Sequence, residues 1–132
     1  MGKILIVDDE PSIRGVIREI LEFEDYEVCE AGSGIEALER VRLNDVSLVL
    51  LDVKMPGMDG FETLSRLKKE YDFPVVMVSA HATVEKVSEA LQMGAYDFIT
   101  KPIDMNRLLI TSRHAMERQR LLEQIANQNK NL

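Results

Sequence analysis

Five side chains in this 132-residue chain have the types needed to handle a phosphoryl group, and each stands at the end of a short strand-like run. Asp8 and Asp9 end "ILIVDD", Asp52 ends "LVLLD", Ser79 ends "VVMVS" and Lys101 follows "YDFIT". Singly they are ordinary: acids cap turns and helices, a serine hydrogen-bonds its loop, a lysine is solvated. Jointly they are three carboxylates, a hydroxyl and an ammonium at four strand ends. Carboxylates about 5 Å apart repel by roughly 3 kcal/mol per pair at an effective dielectric near 20. A hard divalent cation relieves that repulsion, and carboxylates, a carbonyl and water are the donors that suit Mg²⁺. The chain has no His or Cys cluster to favour zinc. With a cation, Ser79 and Lys101 to hold three phosphoryl oxygens, Asp52 has what a nucleophile forming an acyl phosphate requires.

The elements that must bring these groups together alternate between two periods. Aliphatic runs at Lys3–Asp9, Ser47–Asp52 and Pro74–Ala80 predict buried strands, and Tyr26–Ala31 and Ala95–Thr100 predict two more, the former the more exposed. Helical spacing separates them. Pro11 suits a first helical turn ahead of Ile13, Val16, Ile17, Ile20 and Leu21. Ser33 and Glu36 form a capping-box pattern before Ile35, Leu38 and Val41. Asp59 opens a helix through Phe61, Leu64 and Leu67, and Thr83 caps one containing Val84, Val87 and Leu91. Gly94 stops that helix, and Asp104 starts the last. Strict alternation predicts one α/β domain, a doubly wound parallel sheet with helices on both faces. In such a sheet the functional crevice lies beyond the carboxyl ends of the strands, where these five residues stand.

Composition narrows the classes. Hydrophobic residues make up 45% of the chain, with no Trp, which predicts an aliphatic core. No apolar run approaches the roughly 20 residues of a membrane span, and the N-terminus does not read as a signal peptide. One cysteine, Cys29, excludes an internal disulfide, fits a cytoplasmic setting and reads as a small strand residue. A net charge of −7 argues against direct nucleic-acid binding. Residues 105–132 carry 5 basic and 2 acidic residues, too sparse a run for a nucleic-acid arm.

The motifs "VDDE" at Val7–Glu10, "LLDVKMPGMDG" at Leu50–Gly60, "MVSAHA" at Met77–Ala82 and "GAYDFITKP" at Gly94–Pro102 resemble, in order and spacing, the receiver domains of two-component response regulators. The resemblance covers about residues 3–120. It implies a flavodoxin-like sheet of order 2-1-3-4-5 with five helices, and phosphorylation of Asp52 by a histidine kinase or phosphotransfer protein. It further implies Mg²⁺ on Asp8, Asp9, Asp52 and the Lys54 backbone carbonyl, with Ser79 and Lys101 on the phosphoryl group. Phe98 matches the aromatic switch position, which turns inward as Ser79 moves, although a strand aromatic is also an ordinary core residue. A cis Lys101–Pro102 bond is implied as well. The resemblance also implies that the positions of Lys54 and His81 tune how fast water attacks the acyl phosphate.

From Asp104 the chain runs without Pro or Gly to Leu132, and Leu108, Ala115 and Leu122 recur every seven residues with Ile125 beyond. The expected division is a receiver at 1–120 and a helical extension or linker at 121–132, frayed over its polar last six residues. "YDFITKPID" with a long Arg-rich helix resembles receivers that precede AAA+ ATPase and DNA-binding domains in nitrogen-regulator-type activators. The chain is then either a fragment of such a protein or a stand-alone receiver, and a homodimer on activation is implied. Two rivals remain. A phosphohydrolase of the haloacid-dehalogenase type shares the Asp, Mg²⁺ and Lys, but has a second Asp two residues after the nucleophile, where this chain has Lys54. A receiver acting only in dimerisation would not need the complete acceptor chemistry.

Overall fold

The computed structural model describes residues 2–130. Five parallel strands, β1 (Lys3–Val7), β2 (Val28–Ala31), β3 (Val46–Asp52), β4 (Val75–Ser79) and β5 (Asp97–Thr100), form one sheet in the order β2-β1-β3-β4-β5. Between and after them run α1 (Pro11–Phe23), α2 (Gly34–Leu43), α3 (Gly60–Glu70), α4 (Val84–Gln92) and α5 (Met105–Lys130). This is the expected doubly wound α/β sheet with its last helix long.

Alternation along the strands sorts the core into two layers. Leu5, Val7, Val49, Leu51, Val75 and Met77 pack with Ala37, Leu64, Leu67 and Ala90 of α2, α3 and α4. Ile4, Ile6, Leu48, Leu50, Val76 and Val78 pack with Ile17, Leu21, Leu108 and Ala115 of α1 and α5. A strand covered on both sides has no polar face, so all seven residues of central β3 are buried. Three caps form as the sequence predicts. Ser33, Asp59 and Thr83 accept from the backbone N–H groups of Glu36, Glu62 and Lys86. The reciprocal half of the capping box is replaced, since Glu36 turns to Arg40 at 3.2 Å.

Several apolar residues read as core face water instead. Val16, Ile35 and Val84 are more than half exposed, and α4 buries only Ala90. A short helix laid on a twisted sheet covers it with a narrow stripe, and apolar residues one position off that stripe stay wet. Leu108 and Ala115 are fully buried against their own sheet, so their spacing reports domain packing rather than an intermolecular seam. The expected fraying does not begin at Asn127, because α5 continues to Lys130; Asn131 and Leu132 lie outside the described residues.

The Ser112 hydroxyl in α5 is buried and, among the described residues, has no hydrogen-bond partner. Ser112→Ala removes an unpaired polar group and should raise stability by about 1 kcal/mol. Urea unfolding checks this, and a loss of stability would contradict it.

Candidate functional site

Strand register brings the predicted residues to one edge. Val7 lies beside Leu51, so Asp8 comes level with Asp52. Asp52 lies beside Val78, which puts Ser79 one step further, and Ser79 lies beside Thr100, which puts Lys101 one step beyond that. The Lys101 ammonium reaches both acids, at 3.0 Å from Asp8 Oδ2 and 3.5 Å from Asp52 Oδ1. The Lys101 backbone N–H donates to the Ser79 carbonyl at 2.8 Å, and the following peptide bond to Pro102 is cis, as the resemblance implied.

Asp8 is anchored at every polar atom. Its N–H donates to the Ala31 carbonyl, its Oδ1 accepts from the Glu10 N–H at 2.9 Å, and its own carbonyl accepts from Arg14 at 2.6 Å. Asp52 has fewer partners: Lys101, and the Lys54 N–H at 3.4 Å from Oδ1. Burial, then the neighbouring Asp8 charge, pushes the Asp52 pKa up, with Lys101 only partly opposing. Burial also disfavours the Lys101 ammonium, but its hydrogen bond to Asp8 and the two acidic charges outweigh that and hold its pKa above the ordinary value. Asp52 is 5% exposed and lies on a cleft of about 560 Å³ also lined by Asp9, Lys54, Ser79, His81 and Lys101. Ser79 Oγ accepts from the His81 N–H at 3.0 Å, which leaves its own hydroxyl proton free to donate.

The donor set suits a hard cation. Carboxylate oxygens of Asp8, Asp9 and Glu10 lie within 4.8 Å of one another, Asp9 being exposed at the mouth. Among the described residues no backbone N–H bonds the Lys54 carbonyl. All of these donors are oxygens, which matches Mg²⁺. Phe98 is apart from the cleft. It is 7% exposed, with the core layer of α2, α3 and α4, and lies beside Met77. Apolar burial of a strand aromatic accounts for this inward position.

Residues 4–113 match the model of the response regulator receiver domain. This chain belongs to that family. The receiver is 40% identical over 125 residues to the nitrogen assimilation regulatory protein NtrX of Azorhizobium caulinodans, covering 92% of this chain and 28% of that protein. It is 33% identical over 120 residues to the C4-dicarboxylate transport transcriptional regulatory protein DctD of Rhizobium meliloti, covering 90% of this chain and 26% of that protein. The chain thus spans about a quarter of these relatives' length. Among solved structures, the receiver domain of NtrX from Brucella abortus superposes with a TM-score of 0.82 at 38% identity, over 87% of this chain and 98% of that one. A receiver domain is a signalling module of two-component systems rather than a conventional enzyme. No helix among the described residues is long and apolar enough to cross a membrane.

Three contributors to the site were not legible beforehand. Gly60 stands only as the last residue of the Leu50–Gly60 motif in the sequence, yet it is the first residue of α3 and its N–H donates to the Val53 carbonyl at 2.8 Å beside Asp52. Arg14 and Glu30 belong to no motif that singles them out, but Arg14 bridges the Glu30 carboxylate and the Asp8 carbonyl. Only the pairing of α1 with β2 across β1 could have shown it. Cys29 is a half-buried strand residue whose thiol pKa burial pushes up, as the strand reading predicts.

Proposed function

We propose that this receiver takes a phosphoryl group onto Asp52 from a histidine kinase or phosphotransfer protein and relays that event to its α4–β5–α5 face. The junction of Asp8, Asp52 and Lys101 within 3.5 Å at the sheet edge carries the reading. In the transfer, an Asp52 carboxylate oxygen attacks phosphorus while the phosphorus–nitrogen bond of the donor phosphohistidine breaks, its electron pair leaving on the imidazole. Lys101 Nζ, 3.5 Å from Asp52 Oδ1, and the Ser79 hydroxyl would take two of the phosphoryl oxygens. Asp8, Asp9, Asp52 and the Lys54 carbonyl would hold Mg²⁺. Bound there, the ion supplies neutralisation of the developing phosphoryl charge.

The new group brings about −1.5 to −2 charge to the edge. Ser79 shares strand parity with Met77, the register neighbour of Phe98, so a pull on Ser79 acts on the layer that holds the Phe98 ring. The ring is already inside, and phosphorylation raises the population of this arrangement rather than creating it. Downstream, the reading assigns a homodimer on activation and, in a longer protein, AAA+ and DNA-binding domains reached through an extension beginning near residue 121. Residues 121–129 are exposed along α5, as such a linker requires.

Incubation with acetyl phosphate and Mg²⁺ tests the reading by intact mass and peptide mapping. One phosphoryl group on Asp52, absent with a chelator, is expected. Multiple turnover of small phosphate esters would instead support the phosphohydrolase, and no uptake would leave only a dimerisation module. Lys54→Ala and His81→Ala should change the decay of the acyl phosphate without preventing its formation.

A further inference from the structure

We propose that Arg14 is a positioning residue for the cation site, acting through the backbone of Asp8 and itself held by Glu30. The inference rests on the reading that Asp8 and Asp9 hold Mg²⁺. Arg14 stands in the first turns of α1 with its guanidinium turned back toward the sheet. Its Nε donates to Glu30 Oε1 at 3.0 Å and one terminal nitrogen donates to the Asp8 carbonyl at 2.6 Å. Glu30, on edge strand β2, is fastened in turn. Arg18 donates to its Oε2 at 2.6 Å and Arg40 to its carbonyl at 3.2 Å. Gly32 leaves the space: a Cβ there would stand 3.3 Å from the Arg14 terminal nitrogen, closer than a side chain ordinarily allows.

The result is a strut from β2 to the turn that carries both acids. The Asp8 carbonyl belongs to the peptide bond entering Asp9, so a donor on it fixes the plane from which the Asp9 carboxylate departs. Asp9 is exposed, whereas Asp8 has partners on both of its carboxylate oxygens. The Arg14 contact therefore orders the acid whose position is otherwise least constrained. Preorganisation of this kind reduces the ordering that metal binding must supply.

The sign of the effect separates positioning from charge. Arg14 is a cation near a cation site, so simple electrostatics has Arg14→Ala tighten Mg²⁺ binding. Positioning has it weaken, by about 10-fold, as for other groups that orient metal ligands. Arg14→Lys keeps the charge but cannot span Glu30 and the Asp8 carbonyl in the same way, and should also bind Mg²⁺ more weakly. Arg66→Ala is the control: it removes a cation and an exposed ion pair to Glu62 but touches neither Glu30 nor Asp8, and should bind Mg²⁺ as the parent does.

The experiment is a Mg²⁺ titration of the full chain and these variants, followed by the NMR shifts of the Asp8, Asp9 and Glu10 amides. Thermal unfolding in chelator confirms that each variant is folded. Weaker binding in Arg14→Ala and Arg14→Lys, with Arg66→Ala unchanged, supports the proposal. Equal or tighter binding in Arg14→Ala, with the parent saturating normally, overturns it alone. If the parent shows no saturable response at these amides, the cation reading fails and the proposal falls with it.

Discussion

Asp52→Asn is expected to take up no phosphoryl group and, in metal-free buffer at pH 7, to unfold at a higher temperature than the parent. The first outcome follows from the proposed function, in which an anionic Asp52 oxygen attacks phosphorus. The second follows from the geometry of the acidic cluster. Asp52 is buried beside Asp8, and Lys101 sits closer to Asp8 than to Asp52, so one of two adjacent negative charges is under-compensated. Asparagine keeps the size and an oxygen acceptor while removing that charge. Like-charge repulsion of roughly 3 kcal/mol, offset in large part by Lys101, leaves a gain of about 1 kcal/mol, or about 4 °C in Tm.

The pH dependence has a definite sign. The folded-state pKa of Asp52 is raised from its ordinary 3.8 by burial and by Asp8. Above 3.8 and up to that raised value, the folded state holds a proton that the unfolded state has released. Stability contributed by this group therefore falls as pH rises through the window, and it does not recover at neutral pH. Asp52→Asn should flatten that fall. Differential scanning calorimetry across acidic to neutral pH, in chelator, reads both effects. Mg²⁺ should stabilise the parent more than the variant, because it binds the folded state. A variant less stable than the parent in chelator would overturn the charge argument, and one phosphorylated as well as the parent would show that Asp52 is not the acceptor.

Gly60→Ala is expected to lose about 2–3 kcal/mol and to slow phosphoryl uptake. A Cβ on Gly60 would come within 2.5 Å of the Asp52 carbonyl oxygen and 2.6 Å of Val53 Cα. Both are backbone atoms at the end of the central strand, so no side-chain rotation relieves the contact. Either α3 lifts away or the end of β3 shifts, and Asp52 shifts with it. Gly15→Ala is the comparison within the same protein. Nothing lies within 4 Å of a Cβ at Gly15, which sits inside α1, so alanine there should stabilise by up to about 1 kcal/mol. Chemical denaturation and phosphoryl-uptake rates of the two variants decide the matter. Equal stability of both, or normal uptake by Gly60→Ala, would remove the close-approach explanation. Gly57 has a different need, since its φ of +75° favours glycine whatever the available space.

The alternation of aliphatic runs with helical spacing was sufficient to predict the five strands, the five helices and the edge where the reactive groups gather. Local chemistry also set Ser33, Asp59 and Thr83 as caps, because a cap is satisfied within three residues of chain. Readings that depended on a distant partner fared less well. Val16, Ile35 and Val84 keep helical spacing but lie off the narrow stripe that touches the sheet. The Leu108 and Ala115 repeat fits an intermolecular seam and an intramolecular one equally, and only the position of α5 on the sheet separates them.

Strand periodicity and strand ends are local properties of the chain, so the fold class and the candidacy of Asp8, Asp9, Asp52, Ser79 and Lys101 were legible from them, while the four ordered motifs carried the family resemblance. Tertiary structure alone decided which acid Lys101 favours, why Gly60 has no side chain, and that Arg14 ties β2 to the acidic turn. Those facts depend on separations of a few tenths of an ångström between segments up to 93 residues apart in sequence. Periodicity carries no record of such separations; the packing of both helical layers onto one twisted sheet sets them.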